Sequence, residues 1–348
     1  MTTTFAQSLA FPLLLVASLA ACGGTEASGP QTPTGGSGQG TPGGAGASGG
    51  AGASSSSSGN DGTAGTTSGA AAAAAGTSAA GGSNGAGGSA AGGRAGAGGA
   101  VAGLSAGCNT PTTLTSARAS IDVAGTMREY VLKIPSDYDP SKPYKLIFGW
   151  HWRGGVANDV VSGQIIGGPY YGLESRAKGS AIFVAPEGID MGWANTGGRD
   201  IAFLKAMLEL FNANLCIDQA RIFSTGFSFG GMMSDSIGCE MADVFRAIAP
   251  MSGAFYSGCK EPNMHPIAVW LAHGNNDTVV PLADGQKARD KFLARNGCGA
   301  TTTPTEPSPC VSYEGCMDGY PVTYCEFSGG HMPVSFAPNA VWNFFNQF

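Results

Sequence analysis

The sequence predicts an α/β fold, a doubly wound and mostly parallel sheet with helices on both faces, and three observations lead there. Short, nearly continuous apolar runs recur through the C-terminal part of the chain, the mark of strands buried on both faces. Segments with apolar residues three and four apart separate them, which is the helical period. Strand alternating with helix is what a parallel sheet requires, because each parallel connection must cross over the sheet.

The elements follow in order. Residues 120–134, SIDVAGTMREYVLKI, alternate about Ala124-Gly125 and read as an opening hairpin. Lys145 to Trp152, KLIFGWHW, is the first buried strand, and four more begin at Ala181 (AIFVAPEG), Arg221 (RIFSTGFS), Ala247 (AIAPMSG) and Ala268 (AVWLAHGNND). Between them, GRDIAFLKAMLELFNANL places Ile201, Leu204, Leu208 and Phe211 on one helical face, with Arg199 and Asp200 starting and charging that helix. A last strand near YPVTYCEF and a C-terminal helix around NAVWNFFNQF complete the pattern. Functional groups in such a sheet gather at the carboxyl ends of the strands.

Composition divides the chain. It has 348 residues, 57 of them Gly, with 12% charged residues and a formal net charge of −6. Residues 23–107 account for the bias: 30 Gly, 22 Ala, 13 Ser and 8 Thr, with no aromatic residue and three charges, Glu26, Asp61 and Arg94. Such a stretch cannot bury a core and reads as a disordered tether, with a flexible-coil span of roughly 50 Å. Residues 108–348 hold every Trp, Tyr and His, enough for one α/β domain. There, 17 Lys and Arg face 22 Asp and Glu, so no basic surface is available for nucleic acid.

Residues 5–21, FAQSLAFPLLLVASLAA, are apolar but short for a spanning helix, and Cys22 follows them. Residues 1–22 therefore read as an export signal. Leu19-Ala20-Ala21-Cys22 resembles the lipobox of bacterial lipoproteins, in which the Cys is lipidated and becomes the mature N-terminus. The n-region lacks Lys and Arg, a departure from that pattern. The expectation is a secreted or outer-membrane-anchored surface protein, attached to the membrane through lipid on Cys22.

Eight further cysteines lie in the domain: Cys108, Cys216, Cys239, Cys259, Cys298, Cys310, Cys316 and Cys325. An even number after export implies four disulfides, whereas no C-x-x-C occurs and the four His do not pair with cysteines at zinc spacing. Eight cysteines allow about 105 connectivities, so spacing alone does not choose. The working pairing is Cys108 with Cys259, Cys216 with Cys239, Cys298 with Cys316, and Cys310 with Cys325.

Gly-x-Ser-x-Gly occurs at Ser48, Ser83, Ser105 and Ser228, and in a chain this rich in Gly the pattern by itself says little. The chemistry needs a serine on a sharp strand-to-helix turn, where small neighbours permit a strained backbone and the helix N-terminus favours developing negative charge. Only Ser228 follows an apolar strand and precedes a helical segment. Its hydroxyl needs a base oriented by a carboxylate, and in the α/β-hydrolase order both follow the serine. His331, in SGGHMP after the last strand, is the base. His265 sits in a loop before a strand, and His273 precedes the best acid. Asp277 in HGNNDTVVP, at the carboxyl end of its strand, is that acid. Asp235 and Asp243 fall on or beside the helix after Ser228, Asp284 and Asp290 fall in the next helical segment, and Asp318 lies in a turn. An oxyanion hole needs two backbone N–H groups: one from Phe229, the other from the loop GWHWRGG, at Arg153 with Trp152 as the neighbouring choice. His151 braces that loop. Trp152, Tyr170, Tyr171 and Trp193 follow strands and are candidates for an acyl pocket in which a phenolic ring stacks, or else for core and rim packing.

From about Ser105 onward the chain resembles secreted feruloyl esterases of carbohydrate esterase family one. The segments that carry the resemblance are PYKLIFGWHWRGG, PYYGLESRA, AIFVAPEGIDMGWANTGGRD, CIDQARIFSTGFSFGGMMS, FRAIAPMSGA, HGNNDTVVP, YPVTYCEFSGGH and VWNFFNQF. The resemblance implies a disulfide-stabilised α/β-hydrolase, needing no metal or cofactor and acting as a monomer. It would cleave hydroxycinnamoyl groups from plant cell-wall polysaccharide, with Ser228 as nucleophile, Asp277 as orienting acid and His331 as acid and base. Phe229 stands where Tyr is frequent, and the Cys310 and Cys325 pair is additional. Acetylxylan esterases and polyhydroxyalkanoate depolymerases share this machinery, and the pocket decides among them. The alternative of another class is a non-catalytic surface lipoprotein that binds wall polysaccharide through Trp and Tyr.

Overall fold

A computed structural model of the chain describes residues 103–164, 167–260 and 263–348. The expected export signal, Cys22 and the expected tether up to residue 102 lie outside the described residues. The described part begins earlier than the expected boundary at Cys108. Leu104 bridges Asp218, and the buried Ser105 hydroxyl donates to Leu215 O at 2.5 Å and accepts from Ile217 N at 2.8 Å. Composition put residues 103–107 with the tether; their hydrogen bonds put them with the domain.

Among the described residues there are ten strands: β1 Ala117–Val123, β2 Thr126–Lys133, β3 Tyr144–Trp150, β4 Ala181–Pro186, β5 Ile217–Phe227, β6 Ala247–Met251, β7 Ala268–Gly274, β8 Thr302–Pro304, β9 Cys310–Tyr313 and β10 Val322–Phe327. They form one sheet in the order β1-β2-β4-β3-β5-β6-β7-β10-β9-β8. The six strands from β4 to β10 are parallel, flanked by antiparallel hairpins. The β1-β2 hairpin turns at Ala124-Gly125, with Val123 opposite Thr126 and φ of 52° and 84° at the two turn residues, the double left-handed geometry that suits a two-residue hairpin. The β8-β9 hairpin is absent from the sequence reading, because its polar, proline-containing strands carry no apolar run.

Among the described residues six α-helices cover the two faces: α1 Ala157–Ser162, α2 Leu173–Ala177, α3 Arg199–Asn214, α4 Phe229–Glu240, α5 Leu282–Arg295 and α6 Ala337–Phe345. β3, β4, β6 and β7 are buried along their whole length, which is why they read as unbroken apolar runs. One core, containing Phe148, Trp150, Leu204 and Phe211, lies beneath α3 and α4. The other, containing Phe183, Phe223, Trp270 and Phe345, lies beneath α1, α2 and α6. Arg128 on β2 reaches the buried Asp200 at the start of α3 at 2.8 Å, so Asp200 anchors that helix to the sheet.

Two of the four working disulfides are corrected. The bonds are Cys108–Cys216 and Cys239–Cys259, alongside Cys298–Cys316 and Cys310–Cys325 as read from the sequence. The segment from Gly103 to Cys108 runs along the start of β5, where Ser105 N donates to Ile217 O at 3.0 Å, and Gly107 N donates to Asn212 O near the end of α3. Cys108 therefore meets Cys216 beside it rather than the distant Cys259, which is left to pair with Cys239 at the end of α4.

Candidate active site

Ser228 stands between β5 and α4 with φ 56° and ψ −120°, a backbone conformation that costs energy in a non-glycine residue and recurs at functional sites. The turn is held from both sides: Ser228 N donates to Met251 O at 2.9 Å, and Met232 N donates to Ser228 O at 2.9 Å. It also requires Gly230, where a side-chain carbon would lie 2.0 Å from Trp150 O and 2.9 Å from His151 O. The helix that starts after Ser228 thus rests directly on the loop that follows β3.

His331 comes from the loop after β10. Its Nε2 lies 2.8 Å from Ser228 Oγ, and its Nδ1 lies 2.7 Å from Asp277 Oδ2. That loop is seated on the end of β7: a side-chain carbon at Gly274 would lie 2.3 Å from Gly330 O, and Asn276 N donates to Gly329 O at 2.9 Å. Phe227 packs against the imidazole, with ring centroids 4.8 Å apart.

Asp277 follows β7. Its Oδ1 accepts from Val279 N and Val280 N, both at 2.9 Å, and leaves Oδ2 for His331. Burial alone raises its pKa. The His331 hydrogen bond and the two amides outweigh burial and hold the carboxyl below its ordinary value. An ionised carboxylate only accepts, so His331 Nδ1 carries the ring proton and Nε2 accepts from the Ser228 hydroxyl. His273 is buried nearby, bonds Val280 O through Nε2 at 2.9 Å, and so braces the turn that presents Asp277. His265 is exposed before β7.

The remaining walls come from loops after β3 and β4. Fully buried His151 accepts from Gly188 N at Nε2 (2.9 Å), so its Nδ1 donates to Trp152 O (2.8 Å). Burial is the largest influence on its pKa and lowers it, which keeps the ring neutral in this bracing role. The bracing expected of His151 is what the hydrogen bonds make. Gly154 N donates to Met191 O at 2.8 Å, tying the two loops together at Arg153. Asn195 Oδ1 accepts from Asp200 N and Ile201 N, which caps α3 and closes the second loop.

Three of the four aromatic candidates are corrected. Tyr170, Tyr171 and Trp193 are buried. The left-handed backbone at Tyr170 and Tyr171 (φ 52° and 59°) accompanies an inward setting, with Tyr170 against Phe183 at 4.8 Å and Tyr171 OH donating to Trp150 O at 2.5 Å. Trp193 packs edge-on against Trp150, centroids 4.8 Å apart, and donates to His151 O at 2.8 Å. These rings support the β3 loop from below, the packing alternative of the sequence reading. Trp152 alone of the four is partly exposed. From the loop between Gly188 and Asn195 sequence reasoning took only Trp193, although Asp190, Met191 and Asn195 there all have positive φ (55°, 50° and 47°). Its cue was the run of glycines in GIDMGWANTGG after a buried strand.

Comparison with known proteins places this geometry in context. A family model described as Phospholipase/Carboxylesterase matches residues 201–314, which include Ser228 and Asp277. A probable feruloyl esterase C of Aspergillus terreus is 47% identical over 252 residues, covering 69% of this chain and 90% of that protein. Feruloyl esterase C of Emericella nidulans is 46% identical over the same extent. Feruloyl esterase D of Neurospora crassa is 38% identical over 263 residues, covering 70% of this chain and 90% of that protein. Among solved structures, an acetyl xylan esterase from Aspergillus awamori shares the fold, with a TM-score of 0.53 at 13% identity over 66% of this chain and 99% of that one. With nearly half of its aligned residues identical to proteins of that kind over almost their full length, the chain belongs to the feruloyl esterase family, on an α/β-hydrolase fold.

Proposed function

We propose that the protein is a serine esterase that releases hydroxycinnamoyl groups, ferulate foremost, from esters of plant cell-wall polysaccharide. The observation that carries the reading is the continuous hydrogen-bond chain from Ser228 through His331 to Asp277 in a chain 47% identical to a probable feruloyl esterase.

In the proposed reaction, Ser228 Oγ attacks the ester carbonyl while His331 Nε2 takes its proton. The imidazolium so formed is stabilised by Asp277, whose carboxyl stays ionised. The carbonyl oxygen becomes an anion between the N–H of Phe229, first residue of α4, and that of Arg153. His331 then protonates the departing sugar oxygen, leaving the acyl group on Ser228. Water, deprotonated by the same imidazole, releases the free acid and restores the hydroxyl.

Four disulfides support export to an oxidising compartment. There the domain would act as a monomer, tethered by the Gly-rich segment and a lipid on Cys22. The test of substrate class is kcat/KM for methyl ferulate, methyl p-coumarate and 4-nitrophenyl acetate. A preference for the two aromatic acyl groups supports the reading, and a preference for acetate moves the protein to the acetylxylan esterases.

A further inference from the structure

Eight large apolar side chains are prominently exposed among the described residues: Leu104, Met127, Met191, Tyr256, Met264, Val279, Met317 and Met332. Their distribution is uneven. Met191 and Met332, 51% and 52% exposed, belong to two loops beside Ser228: one sets Gly192 against the Phe229 ring, and the other carries His331.

Two contacts place Met191. Its carbonyl accepts from Gly154 N, the residue after Arg153. Gly192, the residue after it, lies under the Phe229 ring, where a side-chain carbon would be 2.7 Å from the ring edge. Met191 therefore stands between the segments that carry the two oxyanion amides, and its own left-handed backbone (φ 50°), next to Asp190 (φ 55°), fixes it there at a cost. Met332 is fixed by its neighbour, because His331 is bonded to both Ser228 and Asp277 and Met332 N donates to Gly330 O at 2.9 Å.

A hydroxycinnamoyl ester has a flat ring joined to its carbonyl by a rigid two-carbon spacer. Once the carbonyl sits between Ser228 Oγ and the oxyanion amides, the ring lies just beyond it. The partly exposed loops, Trp152 among their side chains, are then what the ring can meet, because Tyr170, Tyr171 and Trp193 are buried in the scaffold. Methionine suits the task, since its unbranched thioether adapts to shape and its sulfur makes favourable contacts with aromatic rings.

We propose that Met191 and Met332 are specificity-determining residues, the two walls that seat the aromatic ring of the acyl group beside Ser228. The inference rests on the feruloyl esterase reading and deepens it. It assigns the selection of an aromatic acyl group to two thioethers on exposed side chains rather than to the buried Tyr170, Tyr171 and Trp193.

The test is the ratio of kcat/KM on methyl ferulate to that on 4-nitrophenyl acetate, for the parent, Met191→Ala, Met332→Ala and the double variant. The acetyl group is too short to reach either wall. The ratio is expected to fall about tenfold in the double variant, the usual scale for lost apolar pocket contacts, and to recover in Met191→Leu/Met332→Leu, which restores apolar bulk. Met191→Gln and Met332→Gln, which keep side-chain length and suit exposed positions, should lower the ratio as well. A ratio that stays at the parent value in the Ala and Gln variants, whatever the absolute rates, overturns the assignment. A parent that itself prefers acetate overturns the substrate reading first, and is recognised before any variant is made.

Discussion

A side-chain carbon on Gly230 would lie 2.0 Å from the carbonyl oxygen of Trp150, so the helix behind Ser228 and the loop after β3 touch backbone to backbone. That contact sets the distance between the Phe229 amide, at the start of α4, and the Arg153 amide in the loop. Gly230→Ala must push the two apart. The expected outcome is a fall in kcat of at least about 100-fold, the scale of a misplaced reacting group, with a stability loss of about 1–3 kcal/mol from overpacking. Steady-state kinetics and urea unfolding on the same preparation check both.

Asp277 accepts three hydrogen bonds, two from backbone amides and one from His331. Asp277→Asn keeps the shape but presents a neutral amide to His331, which disturbs the tautomer and removes the charge facing the imidazolium. The expected loss in kcat is on the order of 10⁴, by analogy with the same change in a serine protease triad. Because the Asp277 pKa is lowered in the fold, its contribution to stability is present above the unfolded carboxyl range and is lost as pH falls through the folded value. Acid unfolding of the Asn variant should accordingly show a weaker dependence on pH than the parent.

Asp235 is fully buried on α4, and neither carboxyl oxygen has a hydrogen-bond partner among the described residues. Gly253 packs against it, and its pKa is raised well above the ordinary value by burial. The unfolded carboxyl releases its proton near about pH 4, while the folded one holds it to higher pH. Stability therefore falls as pH rises from there through the folded pKa, by up to about 1.4 kcal/mol per pH unit. Asp235→Asn removes that dependence. Its Tm advantage over the parent should be small at pH 4 and grow toward pH 8, and a constant difference across that range would contradict the assignment.

Cys108–Cys216 ties the segment entering the domain to the start of β5 and spans 108 residues of sequence, against 15 to 20 for the other three disulfides. On the chain-entropy account it constrains the unfolded state most, by about 4–5 kcal/mol. Replacing both cysteines by Ser should lower thermal stability more than replacing the Cys310 and Cys325 pair, as differential scanning calorimetry would show.

The sheet and the three site residues were legible because buried strands must be apolar and the site loops follow their carboxyl ends. Ser228, Asp277 and His331 each follow β5, β7 and β10 as the sequence reading placed them. What sequence did not reveal depends on three-dimensional neighbours. Whether Tyr170 and Tyr171 face a pocket or the core turns on two left-handed φ values. The partner of Cys108 depends on residues 103–107 running beside β5, and those residues share the composition of the tether. Apart from the buried Cys310, the β8-β9 hairpin carries mostly polar, exposed or half-exposed positions that no periodicity marks.

An acyl-enzyme formed by Ser228 with a feruloyl ester is detectable by mass analysis of acid-quenched reaction mixtures. With methyl ferulate in excess, the peptide containing Ser228 should carry one feruloyl group, and Ser228→Ala should show neither that adduct nor measurable turnover while unfolding at the parent's temperature. Turnover retained in Ser228→Ala, or a feruloyl group found on another residue, would show that Ser228 is not the nucleophile.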